Sequence, residues 1–267
     1  MAGKKLPDSA GPLAAGIAEA VEAIVAGSHT DPFALLGPHR EGDQAVVRAF
    51  LPAASRAWFV PPDTSGNPVE MRKAHPSGFF VVALPGELPG AYRIRVESGG
   101  QRFEQEDPYR FGLVLGELDM HLIATGDHRQ LYHAMGAHPR ELDGVAGTAF
   151  AVWAPNARRV SVVGDFNHWD GRMHPMRRRA EAGVWELFLP GVGTGALYKF
   201  EIIGADGQVQ PLKSDPYAFA AELRPGTSSR VHGLPDRQWN DEEWMSQRAA
   251  RIATDAPVSV YEVHLGS

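Results

Sequence analysis

The chain has 267 residues, 43% of them hydrophobic and 22% charged, with a formal net charge of -6 and no cysteine. That length holds about two average domains with real cores, so a soluble globular protein is expected. The acidic balance argues against a nucleic-acid partner. The missing cysteines exclude disulfides, thiolate metal sites and a cysteine nucleophile, and fit a reducing compartment. The N-terminus, MAGKKLPDSAGPLAAGIAEA, lacks the apolar core of a signal peptide, and no run approaches the roughly 18 apolar residues of a membrane span. A cytoplasmic location follows as the expectation.

In chain order, residues 1–12 read as a disordered tail. LAAGIAEAVEAIVAG then sets apolar residues at helical spacing and stops at Gly27. From Gln44 the pattern becomes short alternating runs divided by Pro and Gly, namely QAVVRAFLP, SRAWFVPP, GFFVVALPG and AYRIRVESGG. These predict sandwich strands joined by tight turns.

The chain also repeats itself. VVRAFLPAASRAWFV (46–60) lies over AFAVWAPNARRVSVV (149–163), MRKAHPSGFFVVALPGELPGAYRIRV (71–96) over MRRRAEAGVWELFLPGVGTGALYKFEI (176–202), and DPYRF (107–111) over DPYAF (215–219). A shift of this size means a duplicated domain of about 70 to 75 core residues, not a solenoid. The fold class is therefore mainly β: two tandem immunoglobulin-like β-sandwiches with short connecting helices.

The expected divisions are a first sandwich with its leading helix (13–112), a helical connector (113–143), a second sandwich (144–232), a linker (233–256) and a final strand-like segment (257–267). The connector's helix is expected at about Asp127 to Met135, closed by Gly136. His128, His133 and His138 stand five apart, off one helix face and without a completing carboxylate, so no metal site is expected. Arg172, Arg177, Arg178 and Arg179 read as a solvated strand face.

Positions kept in both copies read as structural: the two DPY turns, whose Asp107 and Asp215 suit local caps, and Tyr92 with Tyr198. Where the second copy has GDFNHWDGRMHP (164–175), the first has PPDTSGNPVE, without Trp, Phe or His. Asp165, Asn167, Asp170 and Gly171 are turn residues, so Trp169 is expected near a loop tip. Lys199 of LYKFEI stands where the first copy has Arg93. A sugar ring suits this set: Trp169 supplies area for its C–H face, Asn167 both hydrogen-bond senses, and Lys199 donors to hydroxyl oxygens.

FAVWAPNARRVSVVGDFNHWDG, with GVWELFLPG and ALYKFEIIGADG, resembles the glycogen-binding module of α-amylase superfamily enzymes and of the AMP-activated kinase β subunit. The order DPFALLGPH, then DMHLIATGDHRQLYHAMGAHP, then the module, then VSVYEVHLGS looks like the N-terminal part of a bacterial glycogen branching enzyme, over about residues 20 to 267. The resemblance implies that Trp169 is the sugar-stacking residue, that Lys199 binds hydroxyls, and that the partners are α-1,4-glucan or glycogen and a catalytic (β/α)8 barrel of the same polypeptide. It implies no cofactor. The module's second stacking Trp is absent, since the chain continues GQVQPLKSDPY after its DG turn. Trp153 of VWAP is expected in the core. YEVHLGS resembles the barrel's first strand, and the family's paired catalytic carboxyl groups lie on later strands, so no catalytic residue is expected here. The alternatives are a stand-alone glycogen-binding adaptor and the N-terminal region of a trehalohydrolase or a debranching enzyme.

Overall fold

The computed structural model describes residues 15–62, 67–234 and 238–266, so the expected tail at 1–12 lies outside it. The chain divides into two compact units, one ending at Gly233 and one beginning at Leu234.

The first unit opens with helix α1 (Ala15–Val25), ended by Gly27 at φ 68° as its sequence predicts. Strands β1 (Gly37–Glu41), β2 (Gln44–Phe50), β3 (Arg56–Val60), β4 (Val69–His75), β5 (Phe79–Pro85), β6 (Arg93–Ser98) and β7 (Gln101–Glu106) follow. Among the described residues they form one antiparallel ladder of order β1-β2-β5-β4-β3-β6-β7. β4 turns the corner of this sheet. Its residues up to Met71 pair with β3 and those from Arg72 with β5, the latter pairing broken by an irregularity between Lys73 and His75. The ladder thereby folds over itself around alternate residues such as Val47, Ala57, Phe80 and Ile94.

The second sandwich repeats the plan as two separate sheets. Strands β8 (Gly136–Leu142), β9 (Val145–Trp153), β11 (Arg177–Arg179) and β12 (Val184–Pro190) make one, in the order β11-β12-β9-β8. Strands β10 (Arg159–Gly164), β13 (Leu197–Ile203), β14 (Ala220–Ala221) and β15 (Ser229–Arg230) make the other, in the order β10-β13-β15-β14. The segment matching β4 again changes sides: Pro175 bridges to Ser161 of β10, and β11 then pairs with β12. Met71 and Met176, which the repeat superposes, are both buried at that corner.

The duplication reaches further upstream than the sequence comparison. A 3-10 turn at Pro32–Ala34 leads into β1, and one at Leu131–His133 leads into β8. Gly37 and Gly136 begin the two strands at φ 86° and φ 100°. Each lies against the carbonyl of a DPY tyrosine, where an added Cβ would stand 2.5 Å from Tyr109 O or 2.9 Å from Tyr217 O. His39 and His138 each contact a backbone carbonyl three residues back, at 3.0 and 2.9 Å.

In the connector the helix lies earlier than the expected Asp127–Met135. Helix α2 is Glu117–Thr125, with Glu117 and Asp119 in its first turn and Gly126 as a left-handed cap at φ 78°. Its Met120 packs with Leu115, Met135 and Val184 on the outer face of the β8–β12 sheet, which is thus covered on both sides. Glu186, buried on β12, accepts from the backbone of Val114 and Leu115 at 3.2 and 3.0 Å and holds the connector there.

One core joins the two halves. Val21 and Ile24 of α1 and Phe79 of the first half cluster with Phe150, Trp185 and Phe200 of the second. Tyr109 donates to the carbonyls of Met173 and Pro175 at 3.3 Å.

The second unit, by itself, contains helix α3 (Glu242–Arg251) inside the stretch expected to be a linker. Acidic residues in its first turn and Arg248 and Arg251 in its last match the helix dipole. Residues 257–266 form no strand, and Val260, Tyr261 and Leu265 are exposed. A strand needs a partner ladder, and none of the described residues supplies one to this segment.

Candidate functional site

The loop after β10 is built by its own polar residues. A 3-10 turn, Asp165–Asn167, is followed by His168 and Trp169 at φ 54° and φ 61°, two successive residues in the left-handed region. Large side chains seldom adopt that backbone, and such strain gathers at functional sites. Here the surroundings hold it. Trp169 N–H donates to Gly164 O at 3.0 Å. Asn167 Oδ1 accepts from Gly164 N–H, while its Nδ2 donates to Val162 O and to His174 Nδ1, each at 2.9 Å.

The role expected for Asn167 is therefore corrected. Its side chain is fully buried, with both amide hydrogens and the oxygen engaged inside the loop. It shapes the turn and does not face a ligand. A tight turn leaves backbone groups without partners, and an enclosed amide satisfies them.

Trp169 is half-buried, and its indole N–H donates to Asp165 Oδ1 at 2.8 Å. With that edge fixed, the ring offers its face. It lines a shallow cleft of about 290 Å³ together with Arg172, Glu201, Val209 and the Gly27 end of α1. Gly171 in this wall lies against the Glu201 carboxylate, which an added Cβ would displace. The Arg172 guanidinium, hydrogen-bonded to Asp170 at 2.7 Å, holds that carboxyl below its ordinary value. Arg159, buried beneath, bonds both Glu201 and the Gly27 carbonyl, and so ties the N-terminal helix to the cleft.

Lys199 lies on the same face of β13 as Glu201, two residues away, in register with Val163 at the root of the loop. Its ammonium donates to Thr227 Oγ1 at 2.6 Å. Thr227, which the sequence did not single out, comes from a distant loop before β15 and joins the candidate site only through this bond. Where the resemblance places a second stacking Trp, just past the DG turn, stands Val209, 61% exposed and lining the same cleft as Trp169.

Trp153, expected in the core, is 61% exposed, and its indole donates to Ala182 O at 3.1 Å. In register it pairs with Val184, whose side chain points to the connector-covered face, and the connector does not extend over the strand end. Of the three connector histidines, His128 contacts Asp119 at 3.1 Å and His138 packs on Phe219.

Comparison with known proteins agrees with this architecture. Residues 18–109 match the family of the α-1,4-glucan branching enzyme GlgB N-terminal domain, and residues 134–218 match carbohydrate-binding module 48, the isoamylase N-terminal domain. The 1,4-α-glucan branching enzyme GlgB of Rubrobacter xylanophilus is 57% identical over 252 residues, covering 93% of this chain and 34% of that protein. The enzyme of the same name from Rhodospirillum rubrum is 54% identical over 256 residues, with the same shares. The chain thus spans about a third of the length of the curated relatives it matches. It belongs to the GlgB branching-enzyme family, of which it is the N-terminal region, a GlgB N-terminal domain followed by a carbohydrate-binding module 48.

Proposed function

We propose that the second sandwich holds α-1,4-glucan on Trp169, with Lys199 and its neighbour Thr227 binding sugar hydroxyls. The observation that carries this reading is the strained, fastened presentation of Trp169 beside an open cleft. An indole face takes the C–H face of a sugar, and an ammonium and a hydroxyl on the same sheet supply donors and an acceptor. An open platform binds weakly, and many repeats along one polymer compensate for that.

The chain then serves as the non-catalytic N-terminal region of an enzyme that forms α-1,6 branches by transferring α-1,4-glucan chains, the chemistry lying in a catalytic domain of the same polypeptide. That chemistry needs two carboxyl groups at a reacting bond. The buried carboxyls Asp107, Asp215 and Glu186 are instead committed to internal hydrogen bonds. The cysteine-free sequence fits the cytoplasm, and among the described residues no helix is long and apolar enough to cross a membrane. Retardation in glycogen-containing native gels tests the platform: wild type should be slowed and a folded Trp169→Ala variant much less so.

A further inference from the structure

The loop that carries Trp169 also lines a second, separate cleft. Phe166 and His174 face a space of about 480 Å³ between the two sandwiches, within the range of about 300–1,000 Å³ usual for small-molecule sites. Its opposite wall is the end of β7, Glu104 to Glu106, and its floor includes Pro190 and Val192. A narrow extension sharing Gln105, Pro108 and His174 continues toward Asp107.

The chemistry of the walls is specific. The Asn167 amide orientation is fixed by Gly164 N–H and Val162 O, so it is a hydrogen on Nδ2 that meets His174 Nδ1. This makes Nδ1 an acceptor and puts the imidazole proton on Nε2. Although the residue as a whole is half-buried, its ring lies deep enough that burial lowers its pKa to about 4, which keeps it neutral. Nε2–H has no partner among the described residues, and neither has the side-chain amide of Gln105. The charges nearby are already matched: Glu104 with Arg93 and Arg95 at 3.0 and 2.8 Å, Glu106 with Arg110 at 2.9 Å. The cleft therefore offers one fixed neutral donor, one amide that both donates and accepts, an aromatic ring and no unpaired charge. Such a set favours an uncharged, hydroxyl-rich ligand over an anion or a cation.

We propose that this inter-sandwich cleft is a second carbohydrate site, taking a short α-glucan segment between His174 Nε2–H, the Gln105 amide and the Phe166 ring. The choice of α-glucan rests on the function proposed above, whereas the cleft and its donors do not. The test is NMR titration of the whole 267-residue chain with maltotriose, following the side-chain signals of Gln105, His174 and Trp169. In a Trp169→Ala protein, saturable shifts at Gln105 and His174 are expected to persist. Gln105→Ala should weaken binding at His174 at least fivefold and leave the Trp169 shifts unchanged. Shifts at Gln105 and His174 with none at Trp169 would support the cleft and overturn the platform. Shifts at Trp169 alone, or equal shifts with glycerol at the same hydroxyl concentration, would overturn the cleft.

Discussion

The Tyr92 hydroxyl donates to the Asp107 carboxyl at 2.6 Å, and in the second sandwich Tyr198 donates to Asp215 at 2.5 Å. The other oxygen of each aspartate accepts from the backbone of the tyrosine two residues on, at 2.9 and 2.8 Å. One device thus closes both copies, fastening the last turn of each to a tyrosine immediately before β6 in the first and within β13 in the second.

This pair makes stability depend on pH in a defined direction. Burial, only partly offset by the bonds from Tyr92 and Tyr109 and by the nearby Arg110, raises the Asp107 carboxyl to about 6. A carboxyl whose pKa is higher in the folded than in the unfolded chain takes up a proton on folding. Its contribution is therefore complete below about pH 4 and is lost as the pH rises through 6, by about 3 kcal/mol. Asp107→Asn should remove that loss. Urea unfolding of both proteins between pH 4 and 7 checks this: the wild type should fall relative to the variant as pH rises, and parallel curves would contradict it.

The same turns depend on Gly37 and Gly136, which have positive φ and lie against the carbonyls of Tyr109 and Tyr217. Gly37→Ala and Gly136→Ala should each cost about 1 to 3 kcal/mol, read as a lower Tm. Gly90→Ala, where an added Cβ meets nothing within 4 Å, should leave Tm nearly unchanged.

Losing the Trp169 face should cost roughly 1 to 3 kcal/mol, by analogy with aromatic stacking and interface hot spots. A millimolar interaction is worth only about 4 kcal/mol. Glycogen retardation should therefore fall sharply for Trp169→Ala, to what the inter-sandwich cleft alone supports, weaken for Lys199→Ala and persist for Arg56→Ala, whose exposed ion pair with Glu70 is elsewhere on the first sandwich. Circular dichroism must show each variant folded.

Val209 lines the Trp169 cleft just past the DG turn, the region after which the resembling module carries its second stacking Trp. Val209→Trp should tighten maltoheptaose binding about tenfold, the equivalent of about 1.4 kcal/mol, measured by calorimetry. Unchanged affinity would mean that the two positions do not address one sugar chain.

Incubated with amylose, this chain should leave the iodine absorbance unchanged and form no 1,6-linkages, because its buried carboxyls are held in structural bonds.

The sandwich strands were legible because alternation and Pro/Gly punctuation are local, and the duplication because equivalent positions keep equivalent side chains, as Tyr92 and Tyr198 do. Trp169 was legible by the opposite sign, a large aromatic in one copy with no counterpart in the other. Helix α2 was misplaced because its start is marked only by Glu117 and Asp119, and a stronger glycine signal at Gly136 in fact opens a strand. Asn167 and Trp153 were misjudged because residue type does not report which way a side chain points: an amide next to an exposed tryptophan is sealed inside its own turn, and a tryptophan in an apolar strand emerges at the strand's uncovered end. The sequence by itself determined the sandwich strands, the repeat and the aromatic at the loop. Only the tertiary structure decided what surrounds that aromatic, because the cleft is assembled from residues far apart in the chain, with Gly27, Arg159, Glu201 and Val209 meeting at Trp169 once Arg159 has tied the N-terminal helix to the second sandwich.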